Sequence, residues 1–109
     1  MQILINTDRN IDGREALADE VSAVVASALG QASDDITRVE VHLSDENGDK
    51  SGQRDKRCMM EARIEGRQPL AVTDQAESLE QAVEGAAGKL ARLIESTFGR
   101  ADHAREKRG

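Results

Sequence analysis

Residues 36–44 read Ile-Thr-Arg-Val-Glu-Val-His-Leu-Ser, and residues 57–65 read Arg-Cys-Met-Met-Glu-Ala-Arg-Ile-Glu. In the first stretch Val39, Val41 and Leu43 alternate with Arg38, Glu40, His42 and Ser44. In the second, Cys58, Met60, Ala62 and Ile64 alternate with Arg57, Met59, Glu61, Arg63 and Glu65. A period of two places one set against a core and the other in water, so both stretches predict half-buried strands. Between them Asp45 to Gln53 is polar and carries Gly48 and Gly52, which predicts a long exposed hairpin loop. Two strands joined in this way are antiparallel, and the pair anchors the reading of everything on either side.

Outward from the hairpin the period changes. On the N-terminal side Leu17, Val21, Val24, Val25, Ala28 and Leu29 recur at steps of three and four, which predicts a helix from Gly13 to Gly30. Asp12 offers the N-cap and Gly30 the stop. Before it, Gln2 to Asn6 is a short β-favouring run. On the C-terminal side Gly66-Arg67-Gln68-Pro69 reads as a turn and Leu70 to Thr73 as a brief edge strand. Leu79, Ala82, Val83, Ala86, Leu90, Leu93, Ile94 and Phe98 then repeat at helical spacing. Asp74 and Glu77 offer this helix a capping start, and Gly99 an end. Gly85 and Gly88 inside it each cost roughly 1 kcal/mol of helix propensity, which points to close approaches against the sheet. The fold class is therefore α+β, in the order β-α-β-β-β-α: a two-layer sandwich, a four-stranded sheet with two helices on one face. Residues 1–99 form the single domain, and residues 100–109 read as a basic, flexible tail.

Composition narrows the function. The chain has 109 residues, one Cys, two His, one Phe and no Trp or Tyr. A lone Cys58 makes no internal disulfide, and with His42 and His103 it cannot assemble a closed zinc site, so no metal or cofactor is expected. Cys58 lies on the core phase of its strand, His42 on the wet phase, and no nucleophile stands beside a base in any recognised spacing. The glycines fit no phosphate-binding loop or dinucleotide fingerprint. The chain is not expected to be an enzyme or to take a small-molecule substrate. No apolar run approaches a membrane span and the first residues lack a signal-peptide pattern, so the expected setting is cytoplasmic.

Charge carries more information. Fifteen Lys and Arg face 21 Asp and Glu, a net −6 that argues against an indiscriminate nucleic-acid binder. By segment the molecule is polarised. Residues 50–68 carry Lys50, Arg54, Lys56, Arg57, Arg63 and Arg67 against three acids; residues 89–109 carry Lys89, Arg92, Arg100, Arg105, Lys107 and Arg108 against three more. The remainder has three arginines against fifteen acids. Arginine forks suit phosphate, while the dearth of rings leaves little for base stacking, so any RNA contact is to backbone and shape.

The element order, together with Leu79-Glu80-Gln81-Ala82-Val83-Glu84-Gly85-Ala86-Ala87-Gly88-Lys89-Leu90-Ala91-Arg92, resembles the ribosome hibernation factors. This is the family of hibernation promoting factor and ribosome-associated inhibitor A, also known as protein Y, sigma-54 modulation or S30EA proteins. Their second helix carries an apolar-acidic stretch leading into Lys-Leu-x-Arg, matched here by Ala82, Val83, Glu84 and Lys89 to Arg92. The resemblance implies a dsRNA-binding-domain-like fold. It also implies a non-catalytic role on the small ribosomal subunit near the decoding channel, silencing translation under stress or in stationary phase. It carries Lys89 and Arg92 over as RNA contacts. Charge adds Arg54, Lys56, Arg57, Arg63, Arg67 and Arg100. A chain ending here looks like the short form, without the added dimerisation domain. The first helix departs from the family pattern, offering Arg14 among Glu15, Asp19 and Glu20. That acidity motivates the alternative, a protein-interaction module on the same fold that docks a basic protein partner without ribosomal RNA.

Overall fold

The computed structural model describes residues 1–8, 14–30, 35–45 and 56–108, the side chains of Arg14 and of 98–108 excepted. Along the chain run β1 (Gln2–Thr7), α1 (Arg14–Leu29), β2 (Ile36–Asp45), β3 (Lys56–Ile64), β4 (Leu70–Ala76) and α2 (Leu79–Arg108). The strands lie in the order β1-β2-β3-β4. β1 runs parallel to β2, while β2–β3 and β3–β4 are antiparallel. Parallel neighbours need a crossover, and α1 supplies it.

Both helices cover the same face. Val39, Val41 and Leu43 of β2 and Cys58, Met60, Ala62 and Ile64 of β3 are buried against Val21, Val25 and Leu29 of α1 and Ala82, Val83, Ala86, Leu90 and Ile94 of α2. Each fully buried Val, Leu, Ile or Met contributes roughly 1.5–3 kcal/mol. The core is built without an aromatic ring among its buried residues. The alternation predicted for β2 and β3 is the alternation observed, with one irregularity. Ile36 is buried although it stands an odd number of residues before Val39, because a bulge between Ile36 and Arg38 makes Thr37 an extra residue and turns it outward. The β3–β4 turn places Gly66 at φ 75°, with the Arg67 amide donating to the Ile64 carbonyl at 3.1 Å. That is the geometry of a type II turn, whose third residue favours glycine.

Five expectations need correction. β4 extends to Ala76, because Cys58, Arg57 and Lys56 pair across to Asp74, Gln75 and Ala76. Asp74 is therefore a strand residue, and the cap of α2 is Ser78, whose Oγ accepts from the Gln81 amide at 3.1 Å. α2 continues past Gly99 to Arg108. No proline follows, and Ala, Arg, Glu and Lys in 100–108 favour a helix by more than one glycine opposes it. Finally, the close approach holds at Gly85 alone. A Cβ on Gly85 would fall on the Asp74 carboxylate, whereas one on Gly88 would meet only Arg92 Nη1 at 3.4 Å. Ala28, assigned to the buried stripe of α1, is exposed.

Candidate nucleic-acid interface

The predicted cations fall on different parts of the fold. Arg57 and Arg63 point from β3 onto the open sheet face and are exposed, as is His42 of β2, while Arg38 of β2 is half-buried there. Arg67 stands in the β3–β4 turn, exposed. Arg92 is exposed on α2, its guanidinium folded back over Gly88. Arg54 lies outside the described residues, and Arg100 is placed only as a backbone position within α2. The hairpin loop at 46–55 is likewise outside them.

Lys56 and Lys89 each sit against a carboxylate. Lys56 follows the core phase of β3 at its N-terminal end, and its Nζ lies 2.9 Å from Asp45 Oδ2. Asp45 is only 7 % exposed, and its backbone amide donates to Asp8 Oδ2 at 3.0 Å. Asp8 in turn donates its amide to the Leu43 carbonyl. The Lys56 ammonium thus compensates a nearly buried carboxylate where three strands meet the loop. Lys89 reaches from α2 to the edge strand, donating to Asp74 Oδ1 at 2.8 Å and to the Thr73 carbonyl at 3.0 Å. The bare Gly85 backbone makes room for the Asp74 carboxylate beneath it.

On the open face, β2 and β3 pair like with like. Arg38 faces Arg63 and Glu40 faces Glu61 across the strands. Each arginine reaches back to the glutamate on its own strand, Arg38 Nη2 to Glu40 Oε1 at 3.5 Å and Arg63 Nε to Glu61 Oε1 at 3.4 Å. Segment counting missed Arg38, leaving it in the acidic remainder. The signal that finds it is strand register, which brings it beside a residue 25 positions away.

The outer side of the helical layer has the opposite character. Glu15, Asp19 and Glu20 of α1 and Glu80 and Glu84 of α2 are exposed. Between the helices runs an open groove of about 450 Å³ lined by Ala23, Val24, Ser27, Ala28, Glu84, Ala87 and Gly88.

Cys58 is sealed in the core, where burial, and then the nearby Asp74 charge, push its thiol up to about 12. At that value it is no nucleophile near neutral pH. Among the described residues no group of three His, Cys, Asp or Glu side chains could hold a metal, and no helix is long and apolar enough to cross a membrane.

No curated protein matches the sequence. Among solved structures the chain is similar to the N-terminal domain of protein Y from Thermus thermophilus. The TM-score is 0.71 at 20 % identity, covering 89 % of this chain and 99 % of that one. It is also similar to a ribosomal subunit interface protein from Coxiella burnetii, with a TM-score of 0.73 at 12 % identity over 91 % of this chain and 99 % of that one. These likenesses establish a shared fold of four strands under two helices. With the sequence profile of the sigma 54 modulation protein / S30EA ribosomal protein family matching residues 4–101, the chain belongs to that family.

Proposed function

We propose that this protein is a non-catalytic, cytoplasmic ribosome-associated factor that binds the small subunit near the decoding channel and silences translation under stress or in stationary phase. The observation that carries this reading is membership of the S30EA family over residues 4–101. The names of the two structural neighbours, a protein Y domain and a ribosomal subunit interface protein, support it. The mechanism is occlusion: a small rigid body sits where mRNA and tRNA would pass, held by Arg and Lys contacts to ribosomal RNA phosphates. Arg57, Arg63, Arg67 and Arg92 are exposed and suit that role; Arg54 and Arg100 join them on charge. Lys56 and Lys89 serve the fold first, since each already compensates a carboxylate.

Co-sedimentation with small subunits from starved cells tests the reading. Binding should fall steeply with salt and weaken when Arg54, Arg57 and Arg92 are reversed to Glu. Failure to sediment at low salt would overturn it.

The exposed acids of α1 and of the first turns of α2 favour a second reading, in which the helical layer docks a basic protein. A pull-down that recovers a basic protein but no ribosomal RNA would select it.

A further inference from the structure

Like charges placed directly opposite one another destabilise a sheet, yet β2 and β3 set Arg38 against Arg63 on the open face. The neighbouring glutamates offset this only loosely. Their contacts, 3.5 Å from Arg38 and 3.4 Å from Arg63, are longer than a charge-assisted hydrogen bond. Glu40 and Glu61 are also cross-strand partners, so the acids repel each other as the arginines do. Arg38 Nε is shielded from solvent and has no hydrogen-bond partner among the described residues. A guanidinium carries five N–H donors, and one long contact leaves most of them unengaged.

The backbone holds the two arginines in place. The Thr37 hydroxyl, turned outward by the bulge, donates to the Arg63 carbonyl at 3.0 Å. This pins the end of β3 to the residue just before Arg38. Bulges re-aim side chains and recur beside functional sites. An anion seated between the two forks would have two oxygens to receive donors from both sides.

We propose that Arg38 and Arg63 form a clamp for a phosphodiester group of an RNA strand laid along the open sheet face. The proposal rests on the ribosomal RNA reading above and adds to it a place and a residue, Arg38. The glutamates act as internal competitors that hold the forks apart until a phosphate displaces them. Among the described residues the outer face presents Asn6, His42, Ser44, Thr73 and Gln75 but no Phe, Tyr or Trp, so the strand is held chiefly by its backbone and not by its sequence.

The test uses the full chain. The arginine Nε–Hε NMR signals are followed while short oligouridylate, inorganic phosphate, poly-glutamate or chloride is added at constant ionic strength. Oligouridylate should shift Arg38 and Arg63 together along one binding curve, which Arg38→Gln/Arg63→Gln abolishes. Glu40→Gln/Glu61→Gln should tighten it at least threefold, an opposite-sign result that misfolding cannot mimic. A response to phosphate alone, or an equal response to poly-glutamate or chloride, overturns the proposal. In sedimentation, Arg38→Gln/Arg63→Gln should lower the salt slope by about one to two. An unchanged slope removes the clamp and leaves the ribosome reading standing. If the wild type does not sediment at all, the ribosome reading fails, and the oligouridylate titration decides the clamp alone.

Discussion

The Lys89 ammonium donates to the Asp74 carboxylate at 2.8 Å, across the gap between α2 and the edge strand β4. Gly85 leaves the space in which that carboxylate sits. Helix, edge strand and ion pair thus form one unit, and substitutions at the three positions should not be additive. Both side chains are partly exposed, at 46 % and 23 %, so the pair is screened and Lys89→Ala should cost only about 0.5–1 kcal/mol.

Gly85→Ala supplies the sharper test. An alanine gains roughly 1 kcal/mol of helix propensity over glycine, but here its Cβ displaces the Asp74 carboxylate. In the wild type it should lower the urea midpoint. In an Asp74→Ala background it should raise it. The same sign in both backgrounds would contradict the arrangement.

Lys56→Gln should cost more than any exposed charge removal, about 2–3 kcal/mol, because it removes the ammonium beside Asp45, which is only 7 % exposed. Asp45→Asn/Lys56→Gln should recover part of that loss. Denaturant titrations of the three variants check this. Ribosome-binding experiments at Lys56 therefore need a stability control.

Cys58 should make stability fall at alkaline pH. The folded thiol is held up to about 12, above its ordinary value of 9.0, so between those values the unfolded chain loses its proton first. The contribution is fully present below about pH 9 and declines above it by up to about 1.4 kcal/mol per pH unit. Comparing urea midpoints at pH 8 and 10 for wild type and Cys58→Ala isolates the effect, since the variant should lack it. Disulfide reagents at pH 8 should leave Cys58 unmodified until the chain unfolds.

Ser78→Ala should cost about 1 kcal/mol by freeing the Gln81 amide, while Glu77→Ala should cost little. Thermal melts of the two variants distinguish the observed cap from the one that Asp74 and Glu77 suggest in the sequence.

The central hairpin was legible because its two strands alternate without interruption from Arg38 to Leu43 and from Cys58 to Ile64, and alternation is a local property. β4 was half legible. Asp74 and Gln75 have poor strand propensity and stand just before a helix, so locally they look like its start; only pairing with Arg57 and Cys58 keeps them in the sheet. The candidate interface fared similarly. Counting cations along the chain singles out Arg57, Arg63 and Arg92, which the fold leaves exposed. It could not see that Lys56 and Lys89 already face carboxylates, or that register brings Arg38 to Arg63, because each of those facts joins residues distant in sequence.

β1 is the parallel strand at an edge, and none of its residues is fully buried; Ile3 and Ile5 only border the core. β4, at the other edge, has no buried residue either, but Lys89 of α2 ties it down at Asp74 and Thr73, and the buried strand residues belong to β2 and β3. β1 is therefore the strand that the molecule can release and regain without dismantling its centre. Its amides should exchange with solvent by local opening, while those of Val41 and Met60 wait for global unfolding.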